Sequence, residues 1–292
     1  MKKARFWLSC VTLTLIAIIS VGELGLRLRE HKSPYSLDPE LGWVATGNYE
    51  FHGLKVDVGG DKYLVDVSTN KDGFRLFGDP TVKNKIKVLV IGDSMTHALE
   101  VSNDKTYYSV LNHSMPIFEV FAYGAGGYGT LQEYMILDRF IELIEPEVVI
   151  IQASWTDFVN NHYALERKST LTDMRMRRPY LTLDGNTMYA LPSRSSKLRD
   201  LANKSRFLNF VWLFIERRLP TWLTDSSEYR IIAGQQSYPA FKDAIEITDR
   251  IFKKIKSRVP ANTHVFSFTP EIIAYNELKR ISEQNGISFI DG

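Results

Sequence analysis

Cysteine is almost absent: Cys10 is the only one among 292 residues, and it lies in an apolar run. That excludes an intramolecular disulfide, a thiolate metal cluster and a cysteine nucleophile in the globular part. An excess of either charge is missing too. With 36 Lys and Arg against 34 Asp and Glu, no global field would concentrate the chain on nucleic acid. No Gly-x-x-x-x-Gly-Lys loop for nucleotide phosphates is present, and His and Cys form no cluster at metal-ligand spacing. Neither cofactor nor metal is therefore expected. What is present, 44% hydrophobic and 24% charged residues, suits one main domain with decorations.

One long uncharged run stands at the N-terminus. Residues 6–22 follow Lys2, Lys3 and Arg5 and approach the ~20 apolar residues that cross a bilayer. Residues 1–28 read as a signal anchor, continuing as helix through the i,i+4 pair Glu23 and Arg27. Ser20 and Gly22 have the small-residue spacing that a signal peptidase favours, so a cleaved signal peptide is the competing reading. On either reading the globular part is expected outside the cytoplasm, in the periplasm or at the cell surface. On the anchor reading the membrane is a partner through this helix.

Residues 34–82 are turn-rich, with Asp38-Pro39, Gly59-Gly60 and Asp72-Gly73 separating short alternating stretches, and predict a small β-rich extension. Residues 83–292 predict an α/β domain. The apolar runs at 88–91, 118–122 and 148–152 suit strands buried on both faces, and Thr130-x-x-Glu133 reads as a capping box opening a helix over 130–144. This βαβ rhythm indicates a doubly wound parallel sheet. An insertion spans about 162–239, with a hairpin pivoting on Asp184-Gly185-Asn186 and an aromatic helix over 205–218. Phe207, Phe210, Trp212, Phe214 and Trp222 are expected to pack in a core, since aromatic stripes at helical spacing usually do; a substrate wall or a membrane surface are the alternatives. The sheet resumes with a helix over 241–259, a strand over 264–268, a helix over 271–284 and a strand over 287–290.

Ligands of open parallel sheets bind beyond the carboxyl ends of the strands. Three such ends carry informative residues: Gly92-Asp93-Ser94, the glycine-rich 124–129, and Ser154-Trp155-Thr156-Asp157. Ser94 has the strand-to-helix setting of a nucleophile, but Ser also caps helices, and the tripeptide alone fits both. The glycine turn at the neighbouring strand end exposes backbone N–H groups able to receive an oxyanion, with Gly127 the candidate donor. Gly124-x-Gly126-x-x-Gly129 also matches a dinucleotide fingerprint. It sits on the second strand, and Val149-Ile150 stand where an acidic residue should hold a ribose, so a nucleotide is not expected.

The blocks at 88–96 (Val-Leu-Val-Ile-Gly-Asp-Ser-Met-Thr), 122–130 and 154–157 resemble, in order, the first three motifs of the SGNH (GDSL-type) hydrolases. The stretches 38–43 and 69–75 resemble the extension of membrane-anchored bacterial members. The resemblance implies a flavodoxin-like three-layer sandwich around a parallel sheet, and an acyl-ester substrate attacked by Ser94. It implies an oxyanion hole from the Ser94 and Gly127 N–H groups and Thr156, with Asp93 and Asp157 in support. It implies esterase or acyl-transfer chemistry on cell-envelope carbohydrate carrying O-acetyl groups.

Two departures accompany it. Thr156 stands where the family has Asn, and Ser154 where it has Gly. Losing a side-chain oxyanion donor costs ~3 kcal/mol, so a partial substitute would slow acyl transfer roughly ten- to a hundredfold. The family's Asp-x-x-His block, due some tens of residues after 287–290, does not occur within the sequence. The expectation is a chain truncated before that block or a degenerate copy without the full triad. His97 is expected on a helix surface, and His162, near Asp157, is the outside candidate for a base. The rival expectation is a non-catalytic glycan-binding module that supports polysaccharide modification.

Overall fold

Four consecutive aliphatic residues, Val88 to Ile91, can be kept from water only by cover on both faces of their strand. They lie at the centre of a six-stranded sheet, each 1% exposed or less. The computed structural model describes residues 2–28, 32–171, 176–192, 204–216, 226–233 and 238–291. Trp222 and His31 lie outside the described residues.

The chain starts with helix α1 (Lys2–Leu28) and passes through β1 (Tyr35–Asp38), β2 (Gly42–Ala45), β3 (Glu50–Val56), β4 (Lys62–Ser68) and β5 (Leu76–Phe77). Next come β6 (Ile86–Gly92), α2 (Ser94–His97), α3 (Tyr107–Ser114), β7 (Phe118–Gly124), α4 (Thr130–Ile144), β8 (Val148–Gln152), α5 (Thr156–Asn160) and α6 (Tyr163–Glu166). Then follow β9 (Arg178–Leu181), β10 (Thr187–Ala190), α7 (Arg206–Glu216) and α8 (Ser227–Ile232). The last elements are α9 (Pro239–Arg258), β11 (His264–Phe268), α10 (Tyr275–Gln284) and β12 (Ser288–Phe289).

The sheet runs β12-β11-β8-β6-β7-β5. All pairs are parallel except β5 with β7. The protein is thus mixed α/β with a central, mostly parallel sheet. Side chains alternate across β6: Val88 and Val90 join Tyr108 of α3 on one face, while Leu89 and Ile91 join α4, α9 and α10 in the larger core on the other. From β6 the chain crosses to β7 on one side and then to β8 on the other. The strand order therefore reverses beside β6, the position where an open sheet leaves a crevice.

α4 opens differently from its sequence signature. Its N-cap is Gly129, whose N–H donates to Gln132 Oε1 at 3.4 Å, and Glu133 turns inward at 1% exposure. The capping-box reading fails because the cap lies one residue earlier. α7 is also unlike its expectation: Phe210 and Phe214 are 54% and 47% exposed, so the aromatic helix is not core. The hairpin over β9 and β10 pairs as the Asp184-Gly185-Asn186 turn predicts.

The β1–β2 hairpin is fastened to the main domain. Leu41, Trp43 and Ala45 are buried in its core, and Gln132 Nε2 donates to Leu41 O at 2.6 Å. Arg178 of β9 ties the insertion to the main domain. Its guanidinium is 1% exposed, pairs with buried Glu166 at 2.9 Å, donates to Gly127 O at 2.8 Å and to Gln132 Oε1, and lies over the Trp43 ring. Removing one partner of such a buried cluster leaves the others unsatisfied. Arg178→Leu is expected to lower stability by about 3 kcal/mol or more in denaturant titrations, and Arg178→Lys to recover little, because an ammonium lacks the planar fork.

Candidate functional site

β6 ends at Gly92, and the turn that follows presents Asp93 and Ser94. The N-cap of α2 is Asp93, whose Oδ1 accepts the Met95 N–H at 2.8 Å. Ser94 is therefore not the cap. It is exposed, and among the described residues its hydroxyl has no hydrogen-bond partner. It opens into a cavity of about 340 Å³ lined also by Asp93, Gly126, Gly127 and Thr156.

Three loops meet there. Gly127 adopts φ +74°, a left-handed conformation that glycine holds without strain. A Cβ placed on Gly126 would stand 3.9 Å from Ser94 Cβ, which measures how closely the second loop approaches the first. Among the described residues neither the Ser94 nor the Gly127 N–H has a backbone acceptor. Asp157 braces the third loop from beneath: its Oδ2 accepts from the Ser154 N–H at 3.0 Å and the Thr130 hydroxyl at 3.2 Å.

The hydroxyl of Thr156 is not free to turn into the cavity. Ser154 Oγ lies 2.8 Å from Thr156 Oγ1 and 2.8 Å from Glu271 Oε2, and Glu271 Oε2 also accepts the Trp155 N–H at 3.1 Å. A carboxylate only accepts, so Ser154 donates to Glu271 and must accept from Thr156. The Thr156 proton is thus committed to Ser154.

Carboxyl groups crowd the floor of the site. Burial pushes Asp93 up to about 6, and the Glu271 charge adds to the shift. Burial, reinforced by Asp93, holds Asp157 well above the carboxylate range. Glu133 is raised in the same way by burial and by Asp157, and neither of its oxygens has a partner among the described residues. Burial and the neighbouring carboxylates thus both act against the ionised forms of Asp157 and Glu133, since buried like charges repel one another.

The histidines are elsewhere. His97 is 1% exposed, not on a helix surface, because the single turn of α2 packs beneath the second loop. Its Nδ1 lies 3.3 Å from the Tyr35 hydroxyl, and burial depresses its pKa to about 3, with Arg75 contributing, so it stays neutral. His162 caps α6 by accepting the Leu165 N–H, and no described histidine lines the cavity. Tyr35, Val159, Asn160, Ser169, Leu171 and Glu228 complete the lining, and nothing in the local sequence marks them. Tyr35 accepts the Gly126 N–H at 3.2 Å, and burial lifts its own pKa to about 12. Glu228 holds the 169–171 loop by accepting from Ser169 Oγ and from the Thr170 and Leu171 N–H groups.

No family profile and no curated protein matches the chain. Among solved structures it is similar to AlinE4, an SGNH-hydrolase family esterase, at 10% identity over 72% of this chain and 77% of that one, with a TM-score of 0.35. It is also similar to LAE5, an alpha/beta hydrolase enzyme from the metagenome of Lake Arreo, Spain, at 11% identity over 72% and 78%, TM-score 0.35. A structure from work on carboxylesterases of the ammonia-oxidizing thaumarchaeon Nitrososphaera gargenis gives 11% identity over 88% of each chain, TM-score 0.29. These neighbours are esterases and hydrolases, but likeness at this level carries no argument about activity.

The raised Asp93 has a thermodynamic signature. Between the ordinary value of 3.8 and about 6 the folded state holds the proton more tightly than the unfolded state. Its contribution to stability is therefore greatest below that window and is lost as pH rises through it. Asp93→Asn keeps the Oδ1 acceptor without the charge. It is expected to gain on the order of 2 kcal/mol over the parent between pH 4 and pH 7, read from denaturant midpoints at the two pH values.

Proposed function

We propose that this chain is an SGNH-type ester hydrolase or acyl-transfer protein that works outside the cytoplasm on O-acetylated envelope carbohydrate, through an acyl-Ser94 intermediate. One observation carries the reading: an exposed serine at the end of β6 shares a cavity with the second and third loops. Ser94 Oγ attacks the ester carbonyl, and the negative oxygen is received by the Ser94 and Gly127 N–H groups. The acyl group passes to Oγ, the serine proton goes to a base, and the alcohol leaves protonated. Asp93 and Asp157 act through the loops they brace. The exported location rests on α1, whose segment Ser9–Leu28 is long and apolar enough to cross a membrane. Retention of α1 as an anchor is supported by its Glu23 carboxylate, which is bound to the insertion.

A second reading, a non-catalytic glycan-binding module, is favoured by two observations: no described histidine lines the cavity, and the Thr156 proton is committed elsewhere. Labelling with a fluorophosphonate followed by intact-mass analysis separates the two. One adduct on the parent and none on Ser94→Ala supports the serine esterase. Unlabelled protein, with small acetyl esters turned over no faster by the parent than by Ser94→Ala, leaves the binding module. Because no described imidazole lines the cavity, added imidazole is expected to accelerate deacylation or labelling in the parent and not in Ser94→Ala.

The Thr156 geometry gives a further expectation for kcat on such esters. Thr156→Val should cost less than about threefold in the parent, where the hydroxyl already serves Ser154. In a Ser154→Ala background the freed hydroxyl can turn to the oxyanion, and the same change should cost on the order of tenfold.

A further inference from the structure

The helix most expected in a core is instead attached to the candidate membrane span. Between Arg206 and Glu216, α7 carries a single polar residue, Asn209. None of its residues with described side chains belongs to the buried clusters, and Phe210 and Ile215 are 54% and 56% exposed. Eleven residues are too few for a stable isolated helix in water, so this one depends on what it touches.

What it touches is α1. The Phe207 ring lies against Gly22, where even a Cβ would come within 2.3 Å of it. Ser205 Oγ accepts the Leu208 N–H at 3.2 Å and donates to Glu23 Oε2 at 2.8 Å, and the same oxygen accepts the Phe207 N–H at 3.0 Å. A carboxylate of α1 thus satisfies the first turn of α7, close to the end of the span Ser9–Leu28. Lys204 and Arg206 flank that turn with positive charge, and Phe210 and Phe214, one turn apart, stack with centroids 6.4 Å apart.

We infer that α7 is a second membrane element, lying beside α1 at the boundary between headgroups and acyl chains with Phe210 and Ile215 toward lipid. Lipid is the occupant indicated because α7 packs on α1 through Phe207 and Gly22, and the α1 span has no residue buried inside the protein. Aromatic residues at an amphipathic helix with basic flanks suit that boundary. The inference rests on reading α1 as spanning the bilayer. Its consequence is that the insertion supplying Ser169, Leu171 and Glu228 to the cavity is itself held at the membrane surface.

The test uses the full chain in phosphatidylcholine/phosphatidylglycerol vesicles, with Cys10→Ser removing the native thiol. Single cysteines replace Phe210, Ile215, Leu13 of α1 and Val58 between β3 and β4, each labelled with an environment-sensitive nitrobenzoxadiazole dye. The expected result is blue-shifted emission at 210 and 215, quenched several-fold more by acyl-chain spin labels than by aqueous iodide, with the reverse at 58. Iodide quenching at 210 and 215 equal to that at 58 would overturn the inference. Protection there from both quenchers would overturn it in favour of a protein partner or a second copy. Position 13 reports separately: lipid contact at 13 without lipid contact at 210 and 215 rejects only the role of α7, whereas water at 13 rejects the anchor itself.

Discussion

The glycine-rich turn at 124–129 has little side chain of its own with which to hold a shape, and its shape is what the rest of the site needs. It is held from outside. The Trp43 indole donates to Gly126 O at 3.0 Å, Tyr35 accepts from Gly126 N–H, Arg178 donates to Gly127 O, and Asn160 donates to Tyr128 O at 3.2 Å. Tyr128 returns a bond to Trp43 O at 2.7 Å. The N-terminal extension, the insertion and the third loop each supply part of this clamp. Preorganised backbone donors stabilise developing charge only if they do not move to meet it. The decorations around the sheet are therefore part of the site.

Below that clamp the protein tolerates a group of acids that would repel one another if all were ionised. Asp93, Asp157 and Glu133 sit on three different elements, and burial together with their neighbours' charges pushes all three above the ordinary carboxylate range. Glu271, reaching in from after β11, is tied to Ser154 and Trp155 and so fixes the direction in which hydroxyl protons run along the third loop.

The sheet was legible because β6 and β8 carry short apolar runs rich in Val and Ile, a pattern that suits burial on both faces of a strand. The extents of β8 and β11 match the apolar runs, whereas β6 and β7 run two residues or so beyond theirs. The three loops were legible for the same reason, since strand ends locate them. Misreadings came where tertiary contacts overrode local pattern. Thr130 and Glu133 have capping-box spacing, yet Glu133 turns into the core and Gln132 serves the cap. The helix read from 271 starts at Tyr275, because Glu271 reaches back to the third loop. Tyr35, Arg178 and Glu228 carry no local signal: each acts on residues far away in sequence, and nothing in their own neighbourhoods marks them. His97 was misjudged because a one-turn helix has no reliable outer face.

The bond between Glu23 and Ser205 joins residues 182 positions apart. Synthesis runs from the N-terminus, so α1 exists long before the segment that docks on it. The aromatic helix is thus assembled onto a partner already in place, and its first turn has no other described carboxylate to complete it. Removing the leading helix would therefore do more than shorten the chain. It would strip α7 of its support and turn its phenylalanines into an adhesive surface, coupling the solubility of the remainder to the segment that was removed.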